Sequence, residues 1–269
     1  MSLHITNPSS FLSAFVKQYW AIENTLPSGR QHVQRIIPCG LPDLTFYFED
    51  KPETESDHIG VDAVSQVSGQ RKKYFDYTIT GKLSLFSIVF KPQGMMAFFD
   101  FPISELFNQN VPLEYLLKEE VAKLETDLYE SPTFEEKIKV AEHFLFERLR
   151  QAQKKWDFPR VLHAIDLIDQ SRGRIKIDNL ASEACLSRKQ FERIFSNFVG
   201  ATPKQFLKIV RFQNVLFEKS RNQSLNLTEL AYQCDYFDQS HMIGEFKAFA
   251  GMTPRKYFTQ GEPFSDYFG

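Results

Sequence analysis

The sequence predicts a two-domain α+β protein: an N-terminal antiparallel β sandwich or barrel-like domain, a helical connector and an all-α C-terminal domain. Two observations predict this order. Short apolar stretches separated by turn-forming residues fill residues 11–105, and from about Pro112 the apolar residues recur with helical spacing. Because a charge-rich stretch at 150–155 marks a boundary, we expect domains at 1–110 and 156–269 around a connector at 111–155.

The expected strands recur about every ten residues, as in antiparallel sandwiches and barrels. They lie at 15–22, 33–37, 44–48, 74–79 and 83–90, with Gly- and Pro-containing turns between them. The longest apolar run, 83–90, contains two serines and is far shorter than the roughly 20 residues of a membrane span, so we expect no membrane association.

The connector carries an apolar stripe along acidic, amphipathic helices between about 112 and 150. This stripe either packs on the β domain or forms a dimer interface. We expect packing, together with a contribution to a homodimer.

A repeat in the last hundred residues is the strongest feature of the sequence. Leu180-Ala181 recurs 50 residues later as Leu230-Ala231, and Gly200-x-Thr202-Pro203 recurs 51 residues later as Gly251-x-Thr253-Pro254. In each copy Gly suits the left-handed residue that ends a helix, and Thr-Pro suits the start of the next one.

Each copy predicts a short helix, a tight turn and a second helix, at about 177–199 and 227–250, with a bridging helix at 203–219. This arrangement is a tandem helix-turn-helix module of homeodomain-like type. The alternative is a helical solenoid such as a tetratricopeptide array, which would show a period of about 34 residues in at least three copies.

The pattern I/L-A-x₅-S-x₃-F-x-R-x-F-x₄-G-x-T-P is present at 180–203, and a second copy runs from Leu230 to Pro254. Residues 158–258 therefore resemble the DNA-binding module of AraC/XylS-type transcriptional regulators. The resemblance implies that two recognition helices enter successive major-groove segments on one face of double-stranded DNA. Phosphate contacts would fix the register and base edges would give specificity.

The first recognition helix, expected at 188–199, would turn its polar side chains outward: Arg188, Lys189, Glu192, Arg193 and Ser196. The resemblance places Arg193 at the family's base-contacting arginine, where a bidentate pair with guanine would contribute about 1–3 kcal/mol of discrimination. The alternative for Arg188 and Lys189 is that they only solvate a surface helix.

The second recognition helix offers Gln239, Ser240, His241 and Lys247. It departs from the family pattern twice, because Asp235 replaces the usual turn glycine and Gly244 stands where an equivalent of Arg193 would lie. We therefore expect the first unit to carry most of the base specificity.

The net charge of the chain hides two opposed halves. The total is -2, from 32 Lys and Arg against 34 Asp and Glu. Between Arg172 and Phe258, however, 14 basic residues face 8 acidic ones, a net +6, which leaves -8 elsewhere. A basic C-terminal module is what binding to DNA phosphates requires.

The N-terminal half also resembles a β-rich domain often paired with this module. The residues that carry the resemblance are Arg35-x-x-Pro38-x-Gly40-x-x-Asp43-Leu44-x-Phe46, Val67-Ser68-Gly69 and Phe90-x-Pro92-x-Gly94-x₃-Phe98-Phe99. A pocket inside a small barrel is the default ligand site. Its candidate lining residues are Trp20, Arg35, Asp43, Tyr47, Phe75 and Phe90. For Arg35 and Asp43 the alternative is a structural ion pair.

Catalysis is not indicated. The six histidines are scattered, and the chain lacks GxSxG, HExxH, GxGxxG and GxxxxGK[ST] motifs, so we expect no catalytic residues, metal or cofactor. Three separated cysteines fit a reduced, cytoplasmic protein.

Three functional hypotheses remain open at this point: a one-component regulator controlled by a small molecule, a ligand-independent regulator whose N-terminal half serves dimerisation or partner docking, and an enzyme fused to a DNA-binding domain. For a regulator, contact with RNA polymerase is a further hypothesis.

Overall fold

A computed structural model describes residues 2–54, 63–153, 155–261 and 266–268, and so leaves out Lys154 of the charge-rich boundary. The chain divides into two units. The first comprises 1–36, 42–69 and 75–156, and the second comprises 37–41, 70–74 and 157–269. Within the described ranges, no helix is long and apolar enough to cross a membrane.

The first unit contains antiparallel sheets, as the sequence predicts. Its strands are β1 (Ser2–Thr6), β2 (Val16–Thr25), β3 (Gln31–Ile36), β4 (Asp43–Tyr47), β5 (Ser65–Ser68), β6 (Phe75–Thr80), β7 (Lys82–Phe90) and β8 (Asn110–Pro112). Six strands form a sheet in the order β1-β2-β7-β4-β5-β8, and β3 pairs with β6 in a second sheet. All paired strands are antiparallel.

Three strands escape the sequence prediction, each for a physical reason. β5 reads Ser-Gln-Val-Ser, so only Val67 shows the apolar pattern of a strand. β1 and β8 lie at the two edges of the six-stranded sheet. β8 has three residues and ends at Pro112, a residue that edge positions tolerate because it has no N–H to donate.

The two faces of the six-stranded sheet differ in chemistry. One face carries a Phe-rich core, in which Phe46, Phe86 and Phe90 are fully or almost fully buried. The connector helices α1 (Glu114–Leu117), α2 (Glu119–Glu130) and α3 (Phe134–Gln151) belong to the same unit. The ring of Phe134 packs against Phe86, with centroids 6.0 Å apart, so the connector's apolar stripe is buried against the sheet.

The second unit contains seven helices within its described residues. They are α4 (Phe158–Gln170), α5 (Ile177–Glu183), α6 (Arg188–Val199), α7 (Pro203–Arg221), α8 (Leu227–Gln233), α9 (Gln239–Ala250) and α10 (Pro254–Gln260). The long helix α7 bridges the two helix pairs, α5–α6 and α8–α9. Its buried residues Phe212, Val215 and Leu216 join the core around Phe246.

Helix ends in the second unit confirm the capping residues read from the sequence. Gly200 and Gly251 end α6 and α9 with φ values of +83° and +71°, in the left-handed region that favours glycine. Thr202 and Thr253 accept hydrogen bonds from backbone N–H groups at the starts of α7 and α10.

Candidate nucleic-acid interface

The first helix-turn-helix pair is α5 and α6. Cys185 makes the turn with a φ of +54°, and Ser187 then caps α6 through a reciprocal pair of hydrogen bonds with Gln190. Phe191, Phe195 and Phe198 bury one side of α6. The opposite side of this helix is therefore held rigidly toward solvent.

The predicted outward residues of α6 differ in how free they are. Arg188 lies 3.1 Å from both Asp178 and Glu192, so two carboxylates already compensate its charge. Ser196 donates its hydroxyl to the carbonyl of Glu192 at 2.7 Å. Lys189 and Arg193 are exposed, and neither has an ion-pair partner among the described residues. These two cations are the α6 side chains best placed to meet an external anion.

The second pair is α8 and α9. Asp235 occupies the turn with a φ of +61°, the conformation that the usual glycine would adopt. Asp238 caps α9 by accepting from the backbone N–H of His241 at 2.7 Å. Ser240, His241 and Lys247 are exposed, whereas Gln239 is half-buried and accepts from the hydroxyl of Thr228 at 2.7 Å.

A gap lies in the middle of the exposed side of α9. Gly244 is exposed, and a Cβ atom added there would meet no atom within 4 Å. The repeat offset of 51 residues aligns Gly244 with Arg193 and Glu245 with Ile194. The second helix thus lacks a long side chain at the position where the first helix presents its free arginine.

Glu245 forms a buried charge cluster that the sequence reading missed. Arg211 of α7 places Nη2 3.3 Å from each Glu245 carboxylate oxygen, and Lys208 Nζ lies 3.4 Å from Oε2. Tyr236 donates its hydroxyl to Oε1 at 3.0 Å. Burial, then the charge of Glu245, raises the pKa of Tyr236, which therefore stays protonated as a donor. The available signal was an acidic residue at a position that is apolar in the other repeat.

The ligand candidates of the first unit divide between two sides of its sheets. Trp20, Asp43 and Tyr47 lie opposite Ser87, Val89 and Leu85 respectively, so all three share one face. Phe75 lies on the side of β6 that carries Tyr77, and the Tyr77 hydroxyl accepts from the side-chain amides of Gln66 and Asn110. These four candidates therefore face the space between the two sheets.

The strand register places the other two candidates on other faces. Phe90 points to the opposite face, where its ring packs 5.7 Å from that of Phe98 in the buried core. Arg35 pairs with Asp76 through two hydrogen bonds of 2.7 and 2.8 Å, on the side of β3 and β6 that faces away from Tyr77. Side chains alternate along a strand, and the sequence reading had not fixed the register.

Residues 180–260 match the family model described as a helix-turn-helix domain, over the α5–α6 and α8–α9 pairs. Residues 180–260 of this chain therefore form a helix-turn-helix domain. Residues 4–112, which hold the strands of the first unit, match a domain of unknown function, DUF6597. The helix-turn-helix domain and the two-part α+β layout confirm the resemblance and the fold class predicted from sequence.

The curated relatives align with this chain over only part of their length. The HTH-type transcriptional regulator ArgR of Pseudomonas aeruginosa is 24% identical over 131 residues, which is 44% of this chain and 39% of ArgR. A transcriptional regulator structure from Chromobacterium violaceum, described as AraC-type, has a TM-score of 0.35 at 20% identity and covers 38% of this chain and 91% of its own.

ToxT from Vibrio cholerae has a TM-score of 0.47 at 7% identity, covering 90% of this chain and 98% of ToxT. Among the curated relatives, the aligned region spans 28% to 39% of their length.

Proposed function

We propose that this protein is a sequence-specific, double-stranded-DNA-binding transcriptional regulator of the AraC type. The observation that carries the proposal is the pair of helix-turn-helix units on one bridging helix, the first of which exposes Lys189 and Arg193 on a rigidly packed helix. In this proposal α6 and α9 enter successive major-groove segments, about one helical turn of DNA apart.

The two helix-turn-helix units have different roles in this proposal. Arg193 reads guanine by a bidentate hydrogen bond, and Lys189 contacts phosphate. Arg188 positions α5 and α6 through Asp178 and Glu192, which leaves it a weaker role at the DNA. Ser240, His241 and Lys247 contact the second groove segment without a guanine-reading arginine, and Glu192, Ser196 and Gln239 support their neighbours through hydrogen bonds.

We further infer that a small molecule bound between the two sheets of the first unit controls the DNA-binding domain. The Phe-rich core occupies the other face of the large sheet, while this space holds polar groups beside a smaller apolar cluster of Tyr47, Leu83 and Leu85. Gln66 donates to the hydroxyl of Tyr47 at 2.8 Å, and Thr45 donates to Ser87 at 3.2 Å. Burial raises the pKa of Tyr47 well above its usual value, so it remains a neutral hydroxyl. Polar groups that converge between two sheets suit a ligand with hydrogen-bonding atoms.

The remaining parts of the proposal are a cytoplasmic location, a homodimer and contact with RNA polymerase. Exposed aromatic residues on the connector, Tyr115 and Tyr129, support a second copy of the chain as a partner. An enzymatic role is not proposed.

The test is a selection of duplexes from a random-sequence library by the full chain, run with and without a mixture of small metabolites. We expect enrichment of a site with two parts about one turn apart, and a change in enrichment when the effector is present. A library that stays random would contradict DNA recognition. Identical enrichment in both arms would instead favour the ligand-independent regulator.

A further inference from the structure

A cleft of about 350 Å³ opens beside Gly244 in the second unit. Lys208 of α7 forms one wall, and His241, Gly244 and Ala248 form the opposite one, with Glu245 and Phe249 completing the lining. His241, Gly244 and Ala248 are exposed and lie at i, i+3 and i+7, on one side of α9. The cleft is therefore an opening in the side of the helix that the proposed function directs toward DNA.

The charges around this cleft do not cancel. Glu245 is the shared partner of Lys208 and Arg211, at 3.4 and 3.3 Å, so one carboxylate serves two cations. Tyr236 adds only a neutral hydroxyl to the cluster. The surplus of one positive charge lies toward solvent at Lys208, whose side chain is 45% exposed, against 23% for Arg211 and 5% for Glu245.

We propose that Lys208 binds a backbone phosphate of DNA at the second helix-turn-helix unit, and so supplies from the bridging helix the positive charge that α9 lacks at Gly244. This inference rests on the proposed function. Because Gly244 has no side chain, a phosphate on the exposed side of α9 has room to reach the Lys208 ammonium. Glu245, which Arg211 and Tyr236 hold in place, keeps that ammonium at the cleft.

The chemistry of lysine favours phosphate over a base edge. The ammonium is a flexible point charge, whereas guanine recognition favours the planar fork of arginine. A phosphate contact gives affinity without sequence preference, and it makes binding depend on salt through counterion release. The second helix-turn-helix unit would then hold the DNA mainly by contacts with the DNA backbone, while the first helix-turn-helix unit reads bases.

The test uses the full chain and a fluorescent mixed-sequence duplex of about three helical turns, titrated across a series of salt concentrations. Removal of one phosphate contact should lower the slope of log K against log salt by about 0.9, and we expect Lys208→Met to weaken binding by roughly three- to tenfold at low salt. Lys204→Met, which removes an exposed lysine on the same helix but outside the cleft, is the matched control and should keep the wild-type slope.

A rescue separates phosphate binding from a structural role. Adding Gly244→Lys to Lys208→Met returns a cation to the same face, and we expect it to restore the slope. An unchanged slope in Lys208→Met, or a loss that the second substitution does not restore, overturns the Lys208 proposal while wild-type binding persists. If the wild-type chain shows no salt-dependent binding to any duplex, the proposed function itself fails.

Discussion

Gly244 on α9 occupies the repeat position that Arg193 occupies on α6, and both positions are exposed. One recognition helix therefore presents a long, free guanidinium where the other presents an open space. The two helix-turn-helix units share a left-handed turn residue, a glycine at the end of the second helix and buried aromatic residues, so this difference changes the exposed surface without changing the framework beneath it.

Arg193→Ala is expected to relax base specificity at one position of the selected site. The lost bidentate contact with guanine corresponds to about 1–3 kcal/mol, or roughly 5- to 150-fold in affinity for the preferred base. His241→Ala should change affinity only weakly. Competition gel shifts with single-base variants of the site measure both effects, and a larger effect for His241 than for Arg193 would refute the asymmetry.

Two glycines of the second unit should respond to alanine in opposite directions. Gly244→Ala should stabilise the protein by up to about 1 kcal/mol, because Gly244 is within a helix and its surroundings are open. Gly251→Ala should destabilise it by more than about 1 kcal/mol, because φ is +71° and the added Cβ would overlap the ring of Tyr74. Urea unfolding of each variant against wild type gives the two signs, and equal signs would contradict this assignment.

Glu245→Gln should destabilise the second unit by roughly 2–4 kcal/mol, because it leaves the largely buried Arg211 without its compensating carboxylate charge. Asp178→Asn is the matched control. It removes the carboxylate of an exposed pair with Arg188, so we expect a cost below about 1 kcal/mol. Equal losses in the free energy of unfolding for the two variants, measured by chemical denaturation, would show that the buried cluster does not stabilise the packing of α9.

The cysteines should differ sharply in reactivity. Burial raises the pKa of the Cys234 thiol to about 12, whereas Cys185 is exposed in the turn before α6. Native protein at neutral pH should therefore be alkylated at Cys185 and protected at Cys234, which mass spectrometry of the modified peptides can show. Rapid modification of Cys234 in the folded state would place it outside the core.

The same pKa shift has a defined effect on stability. A thiol whose pKa is higher in the folded state than in the unfolded state contributes its full stability below the unfolded value, near 9. That contribution is lost as the pH rises toward 12. Cys234→Ser or Cys234→Ala should flatten this alkaline part of the stability profile.

The repeat made the second unit predictable in detail. The helix ends are predictable because a left-handed C-terminal residue and an N-cap depend on the identity of that residue alone. The glycines at 200 and 251 and the threonines at 202 and 253 are such residues. The helix predicted at 188–199, the second helix of the first helix-turn-helix pair, matches α6. At the start of α8, Asn226 and Glu229 form a reciprocal cap.

Tertiary pairing explains what the sequence could not predict. Arg35 and Phe90 were placed with the ligand candidates, but strand register turns both away from the space between the sheets. The cluster of Lys208, Arg211 and Glu245 joins residues 34 or more positions apart, so no local pattern announces it. The sequence pattern does not predict β5, because its residues are mostly polar and its strand conformation comes from pairing with neighbouring strands.

The difference between the two recognition helices is tested most directly by measuring the binding free energy of every single-base variant of a selected site, for wild type and for Arg193→Ala. We predict one half-site with a dominant guanine, whose preference disappears in Arg193→Ala, and a second half-site, about one helical turn away, with shallow preferences in both proteins. Two half-sites with equally strong base preferences, or a dominant guanine that survives in Arg193→Ala, would contradict base reading by the first helix-turn-helix unit.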